Sequence, residues 1–193
     1  TPAAPASIDA FASERIDELA AKHGRKVKWR PMMLGAAFKA SNMPLLITIP
    51  LKGEYSQRDF DRSARFLGIP YRLPAKFPIS TLAAARGYYW LHGQDCAKVR
   101  EFARAVFRAY WVDGRDISDL AVVQEIAAGL GIDVTALAAG IGTPEIKERL
   151  KAETDTALAK GMCGAPYFVV DGEPFWGADR LPQIEKWLAT GGF

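Results

Sequence analysis

The chain has 193 residues, of which 49% are hydrophobic and 24% charged, and its formal net charge is +3. These values are typical of a globular protein with enough chain to bury a substantial core. They exclude the strongly basic surface of a nucleic-acid-binding protein. No apolar run is long enough to span a bilayer and no signal peptide is evident, so we expect a cytoplasmic protein.

Hydrophobic periodicity and turn residues predict the elements in chain order. An Ala/Pro-rich start precedes a helix over Ala10–His23 and an alternating strand over Lys26–Pro31. Leu34–Pro50 is mixed, with short helical turns. A helix over Tyr55–Leu67 and an extended piece over Tyr71–Ala75 follow. Glycines separate a further set of helices, which we predict over Ser80–Leu91, Asp95–Trp111, Asp119–Leu130, Asp133–Ala139 and Pro144–Lys160.

Strands therefore occupy the two ends of the chain, and a helical block fills its middle. This order predicts an α/β fold in which an all-helical insertion interrupts a sheet domain. We place the sheet domain at residues 1–50 and 145–193 and the insertion at residues 51–144. A helix–strand beginning calls for a preceding parallel strand, which the prolines after Thr1 do not supply. We therefore expect either that residues precede Thr1 or that this segment is rearranged.

A proline turn near the end of the chain is the most informative local feature. Pro166 restricts Ala165 to extended conformations, and the bond between them is a candidate cis peptide. An extended Ala165 would offer its N–H and C=O to a peptide-like ligand. The residues Tyr167–Val170 predict a strand, and Asp171-Gly172 predicts a hairpin turn.

The residues after this hairpin add features of a binding site. Pro174 places the returning strand at a sheet edge. Asp179 suits the N-cap of a helix over Leu181–Leu188, or a position close to it, and the N–H groups of a helix start attract carboxylates. The residue types fit two interpretations equally. One is a ligand site built from backbone, and the other is an ordinary edge hairpin followed by an ordinary helix.

The few residues with metal or redox chemistry exclude two further classes of site. The 2 cysteines, Cys96 and Cys163, are far apart and form no Cys-x-x-Cys pair, so dithiol chemistry is not expected. The 2 histidines, His23 and His92, have no cysteine or carboxylate at ligand spacing. We therefore expect no metal site.

Several motifs are shared with a known family. They are Ser13–Ile16, Trp29–Pro31 with Leu34–Lys39, Phe107–Tyr110 with Gly114–Ile117, and, most specific, Gly164–Pro166 with Phe175–Leu181. On these motifs the chain, from about Phe11 onward, resembles the 2-hydroxychromene-2-carboxylate isomerase family. That family is related to the kappa-class glutathione transferases. The resemblance implies a thioredoxin-like sheet domain with an all-helical insertion, in its DsbA-like form.

The resemblance also implies an activity and a cofactor. It points to a glutathione-dependent isomerase of aromatic catabolism that forms a homodimer and acts on a small aromatic hydroxy acid. Family chemistry is thiolate addition to a conjugated ring system, ring opening, bond rotation and release of glutathione. Ala165, beside Pro166, would pair with the backbone of glutathione. The γ-glutamyl pocket would consist of Trp176, Gly177, Ala178 and Asp179.

The same resemblance suggests a catalytic serine near the start of the first helix. The position of the family's thiolate-stabilising serine falls at Ala6, so Ser7 is the candidate, and a helix-capping serine is an equal alternative. Lys39 matches a family lysine and is the candidate for holding the substrate carboxylate. An exposed lysine without a role is its alternative.

Other polar and aromatic residues are candidates for the substrate side of the site. Lys52 and Tyr55 are assigned there, whereas Arg62 fits a helix-surface ion pair better. Phe77 is a candidate aromatic wall, which core packing would explain equally well.

Three other functions remain open. The chain could be a kappa-like glutathione transferase acting on electrophiles, or a thioredoxin-fold binding module without catalytic activity. A DsbA-like thiol oxidoreductase is disfavoured because the chain lacks a Cys-x-x-Cys pair.

Overall fold

The computed structural model describes residues 7–95 and 97–193, without the side chains of residues 7–11 and 14. Within these ranges no helix combines the length and hydropathy needed to cross a bilayer. The predicted succession of helices is confirmed, and short helical turns lie at Leu46–Thr48 and Ala178–Arg180. The elements are α1 Ser7–Lys22, α2 Leu34–Ala40, α3 Lys52–Leu67, α4 Leu82–His92, α5 Lys98–Trp111, α6 Leu120–Gly129, α7 Val134–Ile141, α8 Pro144–Ala159, β1 Tyr167–Val170, β2 Glu173–Trp176 and α9 Leu181–Thr190.

The chain divides into two compact units. The first comprises the described residues up to Trp29 together with Leu34–Ile69 and Gly161–Phe193. The second comprises Arg30–Met33 and Pro70–Lys160. Apart from Arg30–Met33, the chain passes from one unit to the other between residues 69 and 70 and between residues 160 and 161. The domain boundaries at 50/51 and 144/145 stay a prediction from the sequence.

In the first unit, α1 packs against α3 and α9. Ile16, Phe60 and Ile184 are buried in its core. Helix α3 shows why its sequence folds this way, because its apolar and small residues recur at helical spacing and share one face. The buried residues of that face are Gly53, Ser56, Phe60 and Ala64.

The hairpin of the first unit is confirmed. Strands β1 and β2 pair antiparallel, with Tyr167 opposite Trp176 and Val170 opposite Glu173. The turn between them has positive φ at Asp171 (53°) and Gly172 (94°), as a two-residue hairpin turn requires. The turn thereby fixes the register that brings Trp176 back beside the start of β1.

The prediction of a strand over Lys26–Pro31 is wrong. The sheet formed by the described residues consists of β1 and β2 alone, so this segment does not belong to it. Its alternation is nevertheless real, since Val27 and Trp29 are half-buried while Lys26, Lys28 and Arg30 are exposed. Alternation reports only which residues face the core, whereas a strand also requires a ladder of hydrogen bonds to a neighbour.

The second unit is helical, with α4 in contact with α5, α7 and α8. Phe102, Leu137 and Leu150 are fully buried in it. Three of its helices, α6, α7 and α8, begin at side-chain caps. The cap residues are Asp119, whose carboxylate accepts from Ala121 N–H, Asp133, which accepts from Thr135 and Ala136, and Thr143, which accepts from Ile146 ahead of α8.

Candidate functional site

The proline turn of the first unit leaves backbone groups available to a ligand. The Ala165–Pro166 peptide is cis, which confirms the sequence prediction. The C=O of Pro166 accepts a hydrogen bond from Gly177 N–H at 2.9 Å, which joins the turn to the end of β2. Neither the N–H nor the C=O of Ala165 has a hydrogen bond to the described residues. A partly exposed, unpaired backbone edge of this kind can bind an extended peptide.

Gly164 and Trp176 form a close contact beside this turn. A Cβ at Gly164 would lie 2.6 Å from Trp176 Nε1 and 2.8 Å from its Cε2, so glycine is required there. Trp176 Nε1 is buried and has no hydrogen-bond partner among the described residues. Buried indole N–H groups usually have an acceptor. The unsatisfied donor therefore fits a site that receives a polar ligand.

The segment after β2 combines a glycine with an exposed carboxylate. Gly177 has φ +109°, and a Cβ there would overlap Asp179 Oδ1. This backbone conformation is essentially restricted to glycine. The Asp179 side chain is 54% exposed, and its Oδ2 lies 3.3 Å from Arg180 Nη2. An exposed carboxylate at this position can meet an ammonium group.

Of the two positions predicted for Asp179, at the N-cap of α9 or close to it, the structure shows the second. The N-cap of α9 is Arg180, and no side-chain hydrogen bond caps that helix. The reason is the short helical turn Ala178–Arg180, which inserts between β2 and α9 and moves Asp179 one residue ahead of the cap. Asp179 therefore pairs with Arg180 instead of capping the helix, and its carboxylate stays exposed.

Cys163 and Tyr167 flank the turn on its two sides in sequence. The Cys163 thiol is half-buried and forms no disulfide. Burial, with a smaller contribution from the nearby Cys163, raises the pKa of the Tyr167 hydroxyl above 10.0. Tyr167 is thus protonated at neutral pH. Sequence reasoning assigned no role to Gly164 or Tyr167, although each lies within two residues of Pro166.

The predicted substrate residues of the first unit lie on two helices. Lys39 is in the last turn of α2 and Lys52 begins α3; both are exposed. Neither lysine has an ion pair among the described residues. Tyr55 accepts a hydrogen bond from Arg62 Nη2 at 3.2 Å, and Arg62 also pairs with Asp59, which confirms the helix-surface ion pair. The substrate roles of both lysines and Tyr55 stay predictions.

The remaining predicted site residues are Phe77 and Ser7. Phe77 belongs to the second unit, where its ring packs against Trp111 with centroids 5.5 Å apart. Ser7 is the first residue of α1, but its side chain lies outside the described atoms. The aromatic-wall role of Phe77 and the catalytic role of Ser7 remain predictions. No group of three or more potential metal ligands occurs in the described part of the chain.

The known proteins to which this chain is similar belong to related groups of enzymes. The chain is 29% identical to the 2-hydroxychromene-2-carboxylate isomerase of Sphingobium xenophagum, covering 92% of this chain and 90% of that protein. It is 28% identical to the glutathione S-transferase kappa 2 of Caenorhabditis elegans, covering 84% and 78%. A solved structure of 2-hydroxychromene-2-carboxylate isomerase superposes with a TM-score of 0.85 at 23% identity, covering 95% of this chain and 90% of that one.

These matches confirm the predicted DsbA-like thioredoxin fold and the resemblance to the isomerases and kappa transferases. The small sheet and the large helical content both agree with that fold. The family model described as "DSBA-like thioredoxin domain" matches residues 10–189. The chain therefore belongs to the family of DSBA-like thioredoxin domains.

Proposed function

We propose that this protein is a glutathione-dependent isomerase that acts on substrates like 2-hydroxychromene-2-carboxylate in the catabolism of aromatic compounds. The observation that carries the proposal is the proline turn, where neither the backbone of Ala165 nor Trp176 Nε1 has a hydrogen-bond partner among the described residues. The exposed carboxylate of Asp179 follows three residues after Trp176. Relatives named as such isomerases and as kappa transferases support the same class of enzyme.

The residues of the turn fit the chemistry of glutathione. The tripeptide presents amide groups, two carboxylates and one ammonium group. The N–H and C=O of Ala165 match its backbone amides in the manner of an added strand. The buried Nε1 of Trp176 offers a donor for a carboxylate or carbonyl oxygen. The exposed carboxylate of Asp179 offers the counter-charge for the γ-glutamyl ammonium.

When bound, glutathione supplies a thiolate that can add to a conjugated substrate. The task of the chain is to position the two reactants and to keep the sulfur ionised. We assign the hydroxyl of Ser7 to donate a hydrogen bond to that sulfur. Lys39 is assigned to the substrate carboxylate, and Lys52, Tyr55 and Phe77 to the substrate side.

Calorimetry with reduced glutathione tests the binding half of the proposal. We expect millimolar or tighter binding by the wild type. Asp179→Asn removes the counter-charge and should weaken binding about tenfold, in line with a lost charged hydrogen bond. Asp155→Asn is the matched control, since Asp155 is an equally exposed carboxylate on α8. Folded wild-type protein that binds no glutathione at millimolar concentration would refute the proposal.

Activity assays separate the isomerase from its nearest alternative. A kappa-like transferase is favoured by the relative from Caenorhabditis elegans, and it should conjugate chlorodinitrobenzene faster than it isomerises 2-hydroxychromene-2-carboxylate. The isomerase should show the reverse preference, and Ser7→Ala should lower its turnover severely. Glutathione binding without turnover of either substrate would identify a non-catalytic binding module instead.

A further inference from the structure

The segment that leads into α2, Arg30–Met33, is anchored by side chains within the second unit. The C=O of Pro31 accepts a hydrogen bond from Tyr89 Oη at 2.6 Å. The N–H of Met33 donates to Thr154 Oγ1 at 3.1 Å. Thr154 is 1% exposed, and its hydroxyl donates to a backbone C=O of its own helix at 2.8 Å, so its oxygen can accept from Met33. The segment is thus fixed at two backbone positions.

A buried carboxylate adds a charged contact to the same segment. Glu153 is 8% exposed. Its Oε2 accepts a hydrogen bond from Arg30 Nη1 at 2.5 Å, and its Oε1 accepts one from Arg149 Nε at 3.0 Å. Burial raises the pKa of Glu153, but the hydrogen bonds from the two guanidinium groups outweigh burial and hold that pKa below 4.5. Glu153 is therefore ionised at neutral pH, and a charged hydrogen bond holds Arg30.

The side chains that hold this segment form one connected group, which we call the anchor network; it consists of Tyr89, Arg149, Glu153 and Thr154. The guanidinium of Arg149 lies 5.6 Å from the ring centroid of Tyr89. The network spans α4 and α8, which pack on each other. A buried ion pair often adds little net stability, because desolvation offsets the attraction of the charges. The anchor network is therefore better explained by the single backbone geometry that it imposes on Arg30–Met33.

Helix α2 begins directly after the anchored segment. It has seven residues, buries only Ala37, and has no extended packing contact with another helix or strand of the described ranges. Isolated helices of this length are unstable in water. Lys39 lies in the last turn of α2, within two turns of the anchored end. The order of α2, and with it the position of Lys39, therefore depends on how the start of the helix is held.

We propose that the anchor network positions Lys39 for the substrate carboxylate by holding the start of α2. The role of Lys39 rests on the proposed function. Glu153 and Thr154 are positioning residues, because they act through the backbone of Arg30–Met33. Without the network α2 frays, and the ammonium of Lys39 must lose more conformational freedom when substrate binds. Glutathione is assigned to the residues of the proline turn, so its affinity does not change.

Hydrogen exchange of backbone amides tests whether the network holds α2. Glu153→Gln keeps the size of the side chain and removes its charge. Arg30 and Arg149 have side chains 56% and 52% exposed, so water can solvate them and the variant should fold. Amide exchange in α2 should become about tenfold faster, the size expected for loss of a charged hydrogen bond. Exchange in α9 should stay at the wild-type rate.

A second variant and two controls separate the network from general destabilisation. Thr154→Val removes the acceptor for Met33 N–H and should also speed exchange in α2. Asp155→Asn is the matched control, because that carboxylate also lies on α8 but pairs with Lys151 of the same helix. Val123→Ala, at a fully buried position on α6, lowers stability through the core instead. Both controls should leave exchange in α2 unchanged.

Steady-state kinetics at saturating glutathione test the effect on Lys39. Glu153→Gln should raise the KM for 2-hydroxychromene-2-carboxylate about fivefold with little change in kcat. Calorimetry should give an unchanged Kd for glutathione. In a Lys39→Met background, Glu153→Gln should raise KM no further, because the lysine through which it acts is gone. A purely structural role would lower Tm and change KM by the same factor in both backgrounds.

The two measurements distinguish failure of this inference from failure of the proposed function. Wild-type exchange rates in α2 of Glu153→Gln overturn the inference whether or not the protein is an isomerase. An active Glu153→Gln enzyme with the wild-type KM also overturns it, and so does an equal KM change with and without Lys39. A wild type that does not isomerise the substrate refutes the proposed function, and the role of Lys39 then falls with it.

Discussion

Two turns of this protein share a cis peptide bond and differ in the side chains around it. Phe77–Pro78 in the second unit and Ala165–Pro166 in the first both have cis peptides. At the former, the neighbouring Lys76 C=O accepts a hydrogen bond from Tyr110 Oη at 2.8 Å, and the Phe77 ring packs on Trp111. The residue before the proline, Phe77 or Ala165, has no backbone hydrogen bond to the described residues at either turn, but at the latter the buried indole N–H of Trp176 also has no partner among them. A proline turn is thus a candidate binding site when its surroundings leave polar groups unsatisfied.

The ionisable groups near the two turns reinforce this contrast. Burial raises the pKa of Tyr110 to about 12. Hydrogen bonds from Lys76 and Ser118 lower the pKa of Asp116 to about 2. Both groups therefore keep one protonation state at neutral pH and serve as fixed parts of the structure. Around Pro166 the polar groups include an indole N–H without a partner in the described part of the chain and an exposed carboxylate, and both can bind a ligand.

The largest predicted effect is on glutathione affinity and should come from filling the space beside Trp176. Gly164→Ala places a methyl group 2.6 Å from Trp176 Nε1, so the indole must move away from the turn. We expect glutathione affinity to fall at least tenfold, measured by calorimetry. Gly35→Ala is the control, because a Cβ at Gly35 meets nothing within 4 Å. Unchanged affinity in Gly164→Ala would remove this contact from the site and weaken the contrast between the turns.

A second prediction concerns stability and tests whether the backbone at the end of β2 requires glycine at position 177. Gly177→Ala combines a positive φ with overlap at Asp179 Oδ1 and should lower the free energy of unfolding by about 2–3 kcal/mol. Gly172→Ala also has a positive φ, but a Cβ there meets nothing within 4 Å, so about 1 kcal/mol is expected. Urea denaturation measures both. Equal losses of unfolding free energy in the two variants would show that the overlap with Asp179 does not add to the destabilisation.

The sequence predicted the proline turn and hairpin well because their signals are local. Asp171-Gly172 acts on its own backbone, so the turn follows from residue type, whereas Pro166 allowed a cis peptide without requiring one. Asp179 lies close to the N-cap of α9 rather than at it, because the short turn Ala178–Arg180 displaces it by one residue. The contact between Gly164 and Trp176 was missed because it depends on the register of β1 and β2, which brings together residues 12 positions apart.

Lys26–Pro31 and Phe77 show a different limit of sequence reasoning. The alternation of Val27 and Trp29 predicts which side chains face inward, and their half-burial agrees. Sheet membership depends on a partner strand that alternation does not identify. For Phe77 the sequence allowed either a substrate wall or core packing, and only the fold places it on Trp111. Local patterns therefore predicted the elements here, while the contacts between elements required the structure.

A smaller effect checks the structural character of the Pro78 turn. Phe77→Leu removes the ring contact with Trp111 and should destabilise the protein by about 1 kcal/mol, the cost typical of a near-isosteric change at a half-buried site. Glutathione affinity should be unchanged if this turn serves packing alone. Thermal unfolding and calorimetry on the same sample measure both quantities. A loss of affinity at unchanged stability would instead support the substrate-side role predicted for Phe77.

The smallest predicted effect concerns how the stabilising contribution of Asp116, near the Pro78 turn, changes at acid pH. The pKa of Asp116 is lowered from 3.8 to about 2 by hydrogen bonds from Lys76 and Ser118. A carboxyl with a lowered pKa contributes stability above its unfolded-state value, and that contribution is lost as the pH falls through the folded-state value. Asp116→Asn should therefore have a lower Tm than the wild type at about pH 6, and the difference should shrink between about pH 4 and pH 2. Asp155→Asn, whose partner Lys151 lies on the same helix, is the control. A Tm difference for Asp116→Asn that stays constant down to about pH 2 would show that the Lys76 and Ser118 contacts do not depend on the charge of Asp116.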